Sequence, residues 1–264
     1  MKRKVLLVAG VLGLTYSSFA LPGTEIDISV GAVQQKPSGQ IQYPVPTGDV
    51  IDLKKDLGLG DKTKPFIRAK IEHPIFLIPN LYLQYMPMEF SGTGNITRDI
   101  TYNGKTYEAE TKVDSKIKLD RFDIGLYGNL PFVKKATNGI LDPELGIDVR
   151  IINFKGSITG TEKTTGQTET ASKSATVPIP LIYAGLGVNV PNSPIPVSLV
   201  GELRGISYSK AKYYDYSLEL KVTPVKPVYV SAGYRYEKLK IDTISNLYTN
   251  ITVKGAFFTV GAKF

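Results

Sequence analysis

The sequence predicts an all-β fold: a closed antiparallel transmembrane β-barrel of about ten strands, with eight or twelve as the alternatives. Three observations carry this. Apolar and polar residues alternate with period two in ten separate segments, helical periodicity is nearly absent after the first 20 residues, and the segments are joined by connections of two kinds, long and polar or short and rich in Pro, Asn and Gly.

The first element is not a strand. Residues 1–20 open with Lys2, Arg3 and Lys4, continue with an apolar run over 5–14, and end in small residues through Ser17, Ser18 and Ala20. That is the charged, apolar, small-residue order of a secretory signal peptide cut after Ala20, and the apolar run is short of the ~20 residues that a spanning helix needs. The expected domains are therefore a signal peptide, 1–20, and one barrel, 21–264. Removal of the leader takes three positive charges from the formal +8 and leaves +5. With no cysteine in a chain bound for an oxidising compartment, stability is expected from a closed hydrogen-bonded sheet. The basic residues are spread along the chain, so nucleic acid is not an expected partner.

The ten expected strands are 24–34, 64–72, 80–90, 116–129, 144–156, 175–188, 197–207, 213–222, 228–238 and 251–264, each near or above the ~9–11 residues that cross a bilayer at a tilt. In the first, Ile26, Ile28, Val30 and Ala32 share one face, while Glu25, Asp27 and Ser29 share the other. Long polar linkers follow the first, third and fifth strands, as in 157–174. Short connections follow most of the others, and an even count puts both ends on the periplasmic side. The count is weakest around 211–213, where a short loop is read between two strands and a bulge in one longer strand is the alternative.

The strands carry charges of both signs at alternating positions opposite apolar stripes: Arg68 and Lys70, Arg121 and Asp123, Asp148 and Arg150, Glu202 and Arg204, Asp215 and Glu219, and Arg235. These form the expected lumen charge network. The stripes, such as Leu145, Ile147, Val149 and Ile151, or Val228, Val230, Ala232, Tyr234 and Tyr236, are expected to face lipid. Tyrosine clusters near strand ends suit the headgroup level, although tryptophan is absent.

The last strand ends on a phenylalanine, with Ala256, Phe258, Val260, Ala262 and Phe264 on one face. It resembles the terminal assembly signal of Gram-negative outer-membrane proteins, with Phe258, Val260 and Phe264 as its apolar positions. The stretch 50–61, VIDLKKDLGLGD, is similar to a motif that follows the first strand in families of small outer-membrane β-barrels of largely unassigned function. The resemblance implies a bacterial outer-membrane location, outer-membrane lipid and lipopolysaccharide as surroundings, and the barrel-assembly machinery as a partner in biogenesis. It leaves the oligomeric state unspecified. Physically, Asp52 is placed to cap a helical turn through Lys55 and Asp56 that Gly58 and Gly60 end, in a loop that folds back on the rim.

No catalytic, cofactor or metal site is expected. The sole histidine, His73, lies in a turn on the periplasmic side with no serine at a spacing that suggests a triad. Asp123, Asp148 and Glu202 alternate with arginines, as salt-bridge partners do. There is no metal-ligand or phosphate-loop pattern. Two functions from different classes follow: a closed barrel with a structural or surface-interaction role and a largely salt-bridged lumen, or a narrow pore or transporter for small solutes or apolar molecules. A lipid-modifying enzyme ranks third. Arg98, Lys105 and Lys163, in the expected outer loops, are candidates for lipopolysaccharide phosphates.

Overall fold

The computed structural model describes residues 22–75, 78–244 and 246–264, so the expected leader lies outside the described residues. The chain forms β1 (Glu25–Gln42), β2 (Ile51–Asp52), β3 (Lys62–Glu72), β4 (Asn80–Met86), β5 (Glu89–Ile96), β6 (Ile100–Tyr102), β7 (Lys105–Tyr107) and β8 (Thr111–Asn129). A short helix, α1 (Pro131–Ala136), precedes β9 (Leu141–Thr161), β10 (Thr168–Asn189), β11 (Val197–Tyr208), β12 (Ala211–Val225), β13 (Val228–Ile244) and β14 (Leu247–Lys263). All neighbours in the large sheet are antiparallel, and β14 pairs with β1, which closes the barrel. β4 and β5 act as one interrupted strand, so the wall has ten positions.

The outward face follows from the alternation. Along β10 it reads Pro178, Pro180, Ile182, Ala184, Leu186 and Val188, and along β9 Leu145, Ile147, Val149 and Ile151. Ile182 is 68% exposed and Ile147 61%, a state that only a lipid solvent makes favourable for such a continuous band. Ten residues of tilted strand give a band about 25 Å tall. Tyr85, Phe122, Tyr214, Tyr216, Tyr234 and Phe258 lie toward its upper edge. Among the described residues, register shifts occur only near strand ends, between Val222 and Val225 and between Ile241 and Ile244. The inward and outward parity therefore holds through the middle of every strand.

Several strands are longer than alternation of apolar residues foretells. β9 and β10 have 21 and 22 residues against 12 in β11, so a tall wall of β5, β8, β9 and β10 stands beyond the membrane. The expected linker 157–174 is mostly strand. Its outward residues are Ser and Thr because they face water rather than lipid, while Ile158 and Ala171 point inward and are buried. The third expected strand is broken at Pro87, which has no N–H for the ladder. β4 pairs with both β3 and β8, whereas β5 pairs only with β8. The doubtful junction is a tight hairpin turn at Ser209 and Lys210, with Ser209 at φ +49° and Tyr208 opposite Ala211, and 211–213 open β12.

Candidate functional site: the lumen and its extracellular plug

The lumen is organised in three levels. At the end that carries the termini, a cavity of about 560 Å³ opens to the periplasmic side between Asp27, Arg68, Lys70, Glu144, Glu219 and Lys221. Its ions are paired across the barrel. Arg68 donates to both oxygens of Glu219 at 2.9 and 3.0 Å. Lys70 reaches Glu144 at 2.8 Å and Glu202 at 3.2 Å, and Lys221 meets Asp27 at 2.8 Å.

The second level fills the middle of the barrel. Arg150 grips Asp123 through Nε and Nη2, both at 2.7 Å, and its Nη1 lies 2.7 Å from Asp215 and donates to the Tyr213 hydroxyl at 2.5 Å. Arg235 reaches Asp215 from the other side and donates to Gln84 at 3.0 Å. Arg121 pairs with Glu237, which also accepts from Tyr213. Arg204 contacts Asp148 at 3.2 Å and Glu202 at 3.0 Å, with its guanidinium over the rings of Tyr82 and Tyr183. Arg121, Arg150 and Arg204 are at most 2% exposed. Buried charges persist when each has opposite charge and hydrogen bonds around it, and this level supplies both.

All eleven residues of the expected charge network thus lie inside, and the structure brings them into contact. Sequence reasoning missed Asp27, Glu144, Lys221 and Glu237, together with Tyr82, Tyr183, Tyr213 and Tyr229, which complete the same clusters. Their signal was present: Glu237 follows Arg235 by two, and Tyr213 precedes Asp215 by two, so strand parity already placed them inward.

The third level is apolar and closes the extracellular half. The stretch 50–61 folds into the mouth and buries Ile51, Leu53, Leu57 and Leu59 against Val33, Phe66, Met88, Phe90, Val113, Ile117 and Phe257. Ile100, Tyr102 and Tyr107, from the small hairpin of β6 and β7, join the same core. Locally the plug is held by reciprocal caps. The Asp52 carboxylate accepts from the Lys54 and Lys55 amides at 2.9 and 2.8 Å, and the Asp56 carboxylate accepts from the Asp52 amide at 2.8 Å. Gly58, at φ +61°, ends the turn. Side-chain atoms at Gly92 and Gly94 of β5 would collide with the backbone of Gly58 and Asp56. The plug therefore packs against the inward face of β5 at these two positions, and Gly60 donates to the Ser91 carbonyl at 3.2 Å.

The other expected residues have simpler surroundings. The His73 ring braces its turn, with Nδ1 accepting from the Ile75 amide and Nε2 positioned for the Pro79 carbonyl, both at 3.2 Å. Phe258, Val260 and Phe264 lie on the outward face of the closing strand. Arg98 pairs with Asp56 at 2.9 Å, Lys105 with Glu169, and Lys163 with Asp99 at 2.5 Å. The hydrogen bond from Lys163, with one from the Ala109 amide, holds the Asp99 carboxyl below the usual range.

No protein-family model and no curated protein matches the chain. Among solved structures, the translocator domain of the autotransporter NalP from Neisseria meningitidis is similar over 98% of this chain and 94% of that one, at 12% identity and a TM-score of 0.44. The transport unit of the autotransporter AIDA-I from Escherichia coli covers 98% and 95% at 12% identity and TM-score 0.35. Ail, the attachment invasion locus protein of Yersinia pestis, covers 90% and 99% at 11% identity and TM-score 0.31. The closed sheet, its even strand count and its outer apolar band define the class to which this chain belongs: the β-barrels of the bacterial outer membrane.

Proposed function

We propose that this protein is a closed outer-membrane barrel that acts at the cell surface, in a structural or surface-interaction role, without enzymatic chemistry. The observation that carries the reading is the filled lumen: arginines buried in ion pairs at mid-height, and a plug of leucines above them. A permanently hydrated path would leave such groups exposed. What the protein offers outward is the tall wall of β5, β8, β9 and β10. Single-channel recording of the folded barrel in a planar bilayer tests this. A silent barrel is expected, and reproducible conductance steps would overturn it.

One observation favours a second reading, a lateral route for apolar molecules. The β10–β11 ladder stops at the pair Ile182 and Gly205, although β11 continues to Tyr208. Pro178 and Pro180 remove donors there while pairing to β9 continues unbroken. Behind this seam lie Ile152, Ile179, Leu181, Ile206 and Tyr213. A disulfide between cysteines placed at Pro180 and Ser207 is expected to abolish uptake of an apolar probe if the seam is a route. Unchanged uptake removes it.

A further inference from the structure

We propose that the outer wall carries a lysine collar that binds the phosphate groups of phosphorylated lipids in the outer leaflet. The carrying observation is a repeated pairing of like charges. Lys118 stands directly opposite Lys155, Lys212 opposite Lys240, and Lys36 opposite Lys254, on three separate seams of the barrel. Like charges at directly opposed positions destabilise a sheet, and all six share the parity of the lipid-facing residues on their strands.

Their height is shared as well. Lys118, Lys155, Lys212 and Lys254 each lie four residues beyond a large residue of the upper band, namely Phe122, Ile151, Tyr216 and Phe258. Four residues of tilted strand rise about 10 Å. The headgroup layer extends about 5–7 Å beyond the hydrocarbon, and a lysine stem bends that far back toward it. The ammonium groups therefore reach the level at which lipid phosphates lie.

Inside the lumen charge is compensated internally. The opposed acids Asp215 and Glu237 are bracketed by Arg121, Arg150 and Arg235. In the collar, Glu89 meets Lys118 at 3.3 Å as well as the neighbouring Lys116, and Asp242 meets Lys240 at 3.2 Å. Among the described residues, Lys36, Lys155, Lys212 and Lys254 have no carboxylate within salt-bridge distance. The missing counter-charge is external, and a phosphate bridging two ammonium groups about 5 Å apart at their Cβ atoms matches the paired spacing.

The experiment measures the temperature at which the folded, heat-modifiable band is lost in phosphatidylcholine vesicles, alone or doped with bis-phosphorylated lipid A or with dephosphorylated lipid A. The phosphorylated lipid is expected to raise that temperature by several degrees and the dephosphorylated lipid not to. Changing all six lysines to Gln is expected to abolish the shift, and changing them to Arg to retain it. Equal shifts with both lipids, or an undiminished shift in the Gln variant, overturn the proposal. A full shift from inorganic phosphate added to phosphatidylcholine vesicles overturns the lipid as the source. If the Gln variant does not fold, loss of the wild-type shift at high salt keeps the test decisive: a salt-insensitive shift overturns the collar. This proposal rests on the barrel's position in the membrane and is independent of whether the lumen conducts.

Discussion

Arg150 and Asp123 form a two-pronged ion pair across β8 and β9, both contacts at 2.7 Å and both side chains fully buried. The same guanidinium also meets Asp215, so β12 is tied to the opposite wall through one side chain. Replacing Arg150 with Met leaves the buried Asp123 carboxylate without a partner and takes one of the arginines from Asp215, which keeps Arg235, and is expected to cost about 3–5 kcal/mol. Adding Asp123→Leu is expected to recover part of that loss. Urea unfolding of the two variants in lipid vesicles provides the comparison, and an equal or greater loss in the double variant would show that the pair is not the source.

The plug is held against β5 by an absence of side chains. Gly92 and Gly94 leave room for the backbone at 56–58. Gly94→Val is expected to displace the stretch 50–61 without opening the sheet. Overpacking of this kind costs about 1–3 kcal/mol, which raises local opening roughly five- to 150-fold. Limited proteolysis is expected to nick the variant within 50–61 at a correspondingly higher rate while the remaining barrel stays heat-modifiable. A variant as resistant as wild type would mean that the plug is held elsewhere.

The extracellular excursions are tied to one another by charge, and one tie has a defined pH response. Asp99 accepts from Lys163 and from the Ala109 amide, and these bonds lower its carboxyl pKa. A depressed acid contributes above its unfolded value, about 3.9, and the contribution is lost as pH falls through the lower folded value. Hydrogen-exchange protection in 97–110 and 162–167, taken relative to the intrinsic rate at each pH, is therefore expected to be the same at pH 7 and pH 5 and to fall near pH 3. Asp99→Asn is expected to show the reduced protection already at pH 5. Matching exchange in variant and wild type at pH 5 would remove Asp99 as the tie.

The transmembrane half of this fold was legible because lipid and lumen impose opposite chemistries on alternate residues: Ile147 and Asp148, or Leu203 and Arg204, differ as sharply as two neighbours can. Beyond the membrane that contrast disappears. Ser157, Thr159, Thr170 and Ser172 face water on the same strands, so period-two patterning fades and the extended wall reads as linker. The plug was hidden for another reason. In the stretch 50–61, Leu53, Leu57 and Leu59 alternate with charged and glycine residues in a way that fits an exposed loop, and only the apolar mouth formed by Phe66, Phe90 and Phe257 makes them core. Local patterning does not report contacts between residues so far apart in sequence. The lysine pairs were hidden likewise, since opposition of Lys36 and Lys254 depends on closure of the barrel.

The membrane band makes the last prediction. Ile182 is the third of six outward apolar positions on β10 and is 68% exposed, whereas Tyr208, 77% exposed, stands at the top of the short strand β11. Exposure alone does not distinguish these two residues; the medium does. A lysine at a lipid-facing position near the midplane costs about 2–4 kcal/mol, and this falls to about 0–1 near the interface. Ile182→Lys is therefore expected to lower unfolding stability in vesicles by the larger amount, and Tyr208→Lys by little or nothing. If both substitutions cost less than about 1 kcal/mol, the band around Ile182 does not meet hydrocarbon. A large cost at Tyr208 with none at Ile182 would place the membrane around the tall wall instead.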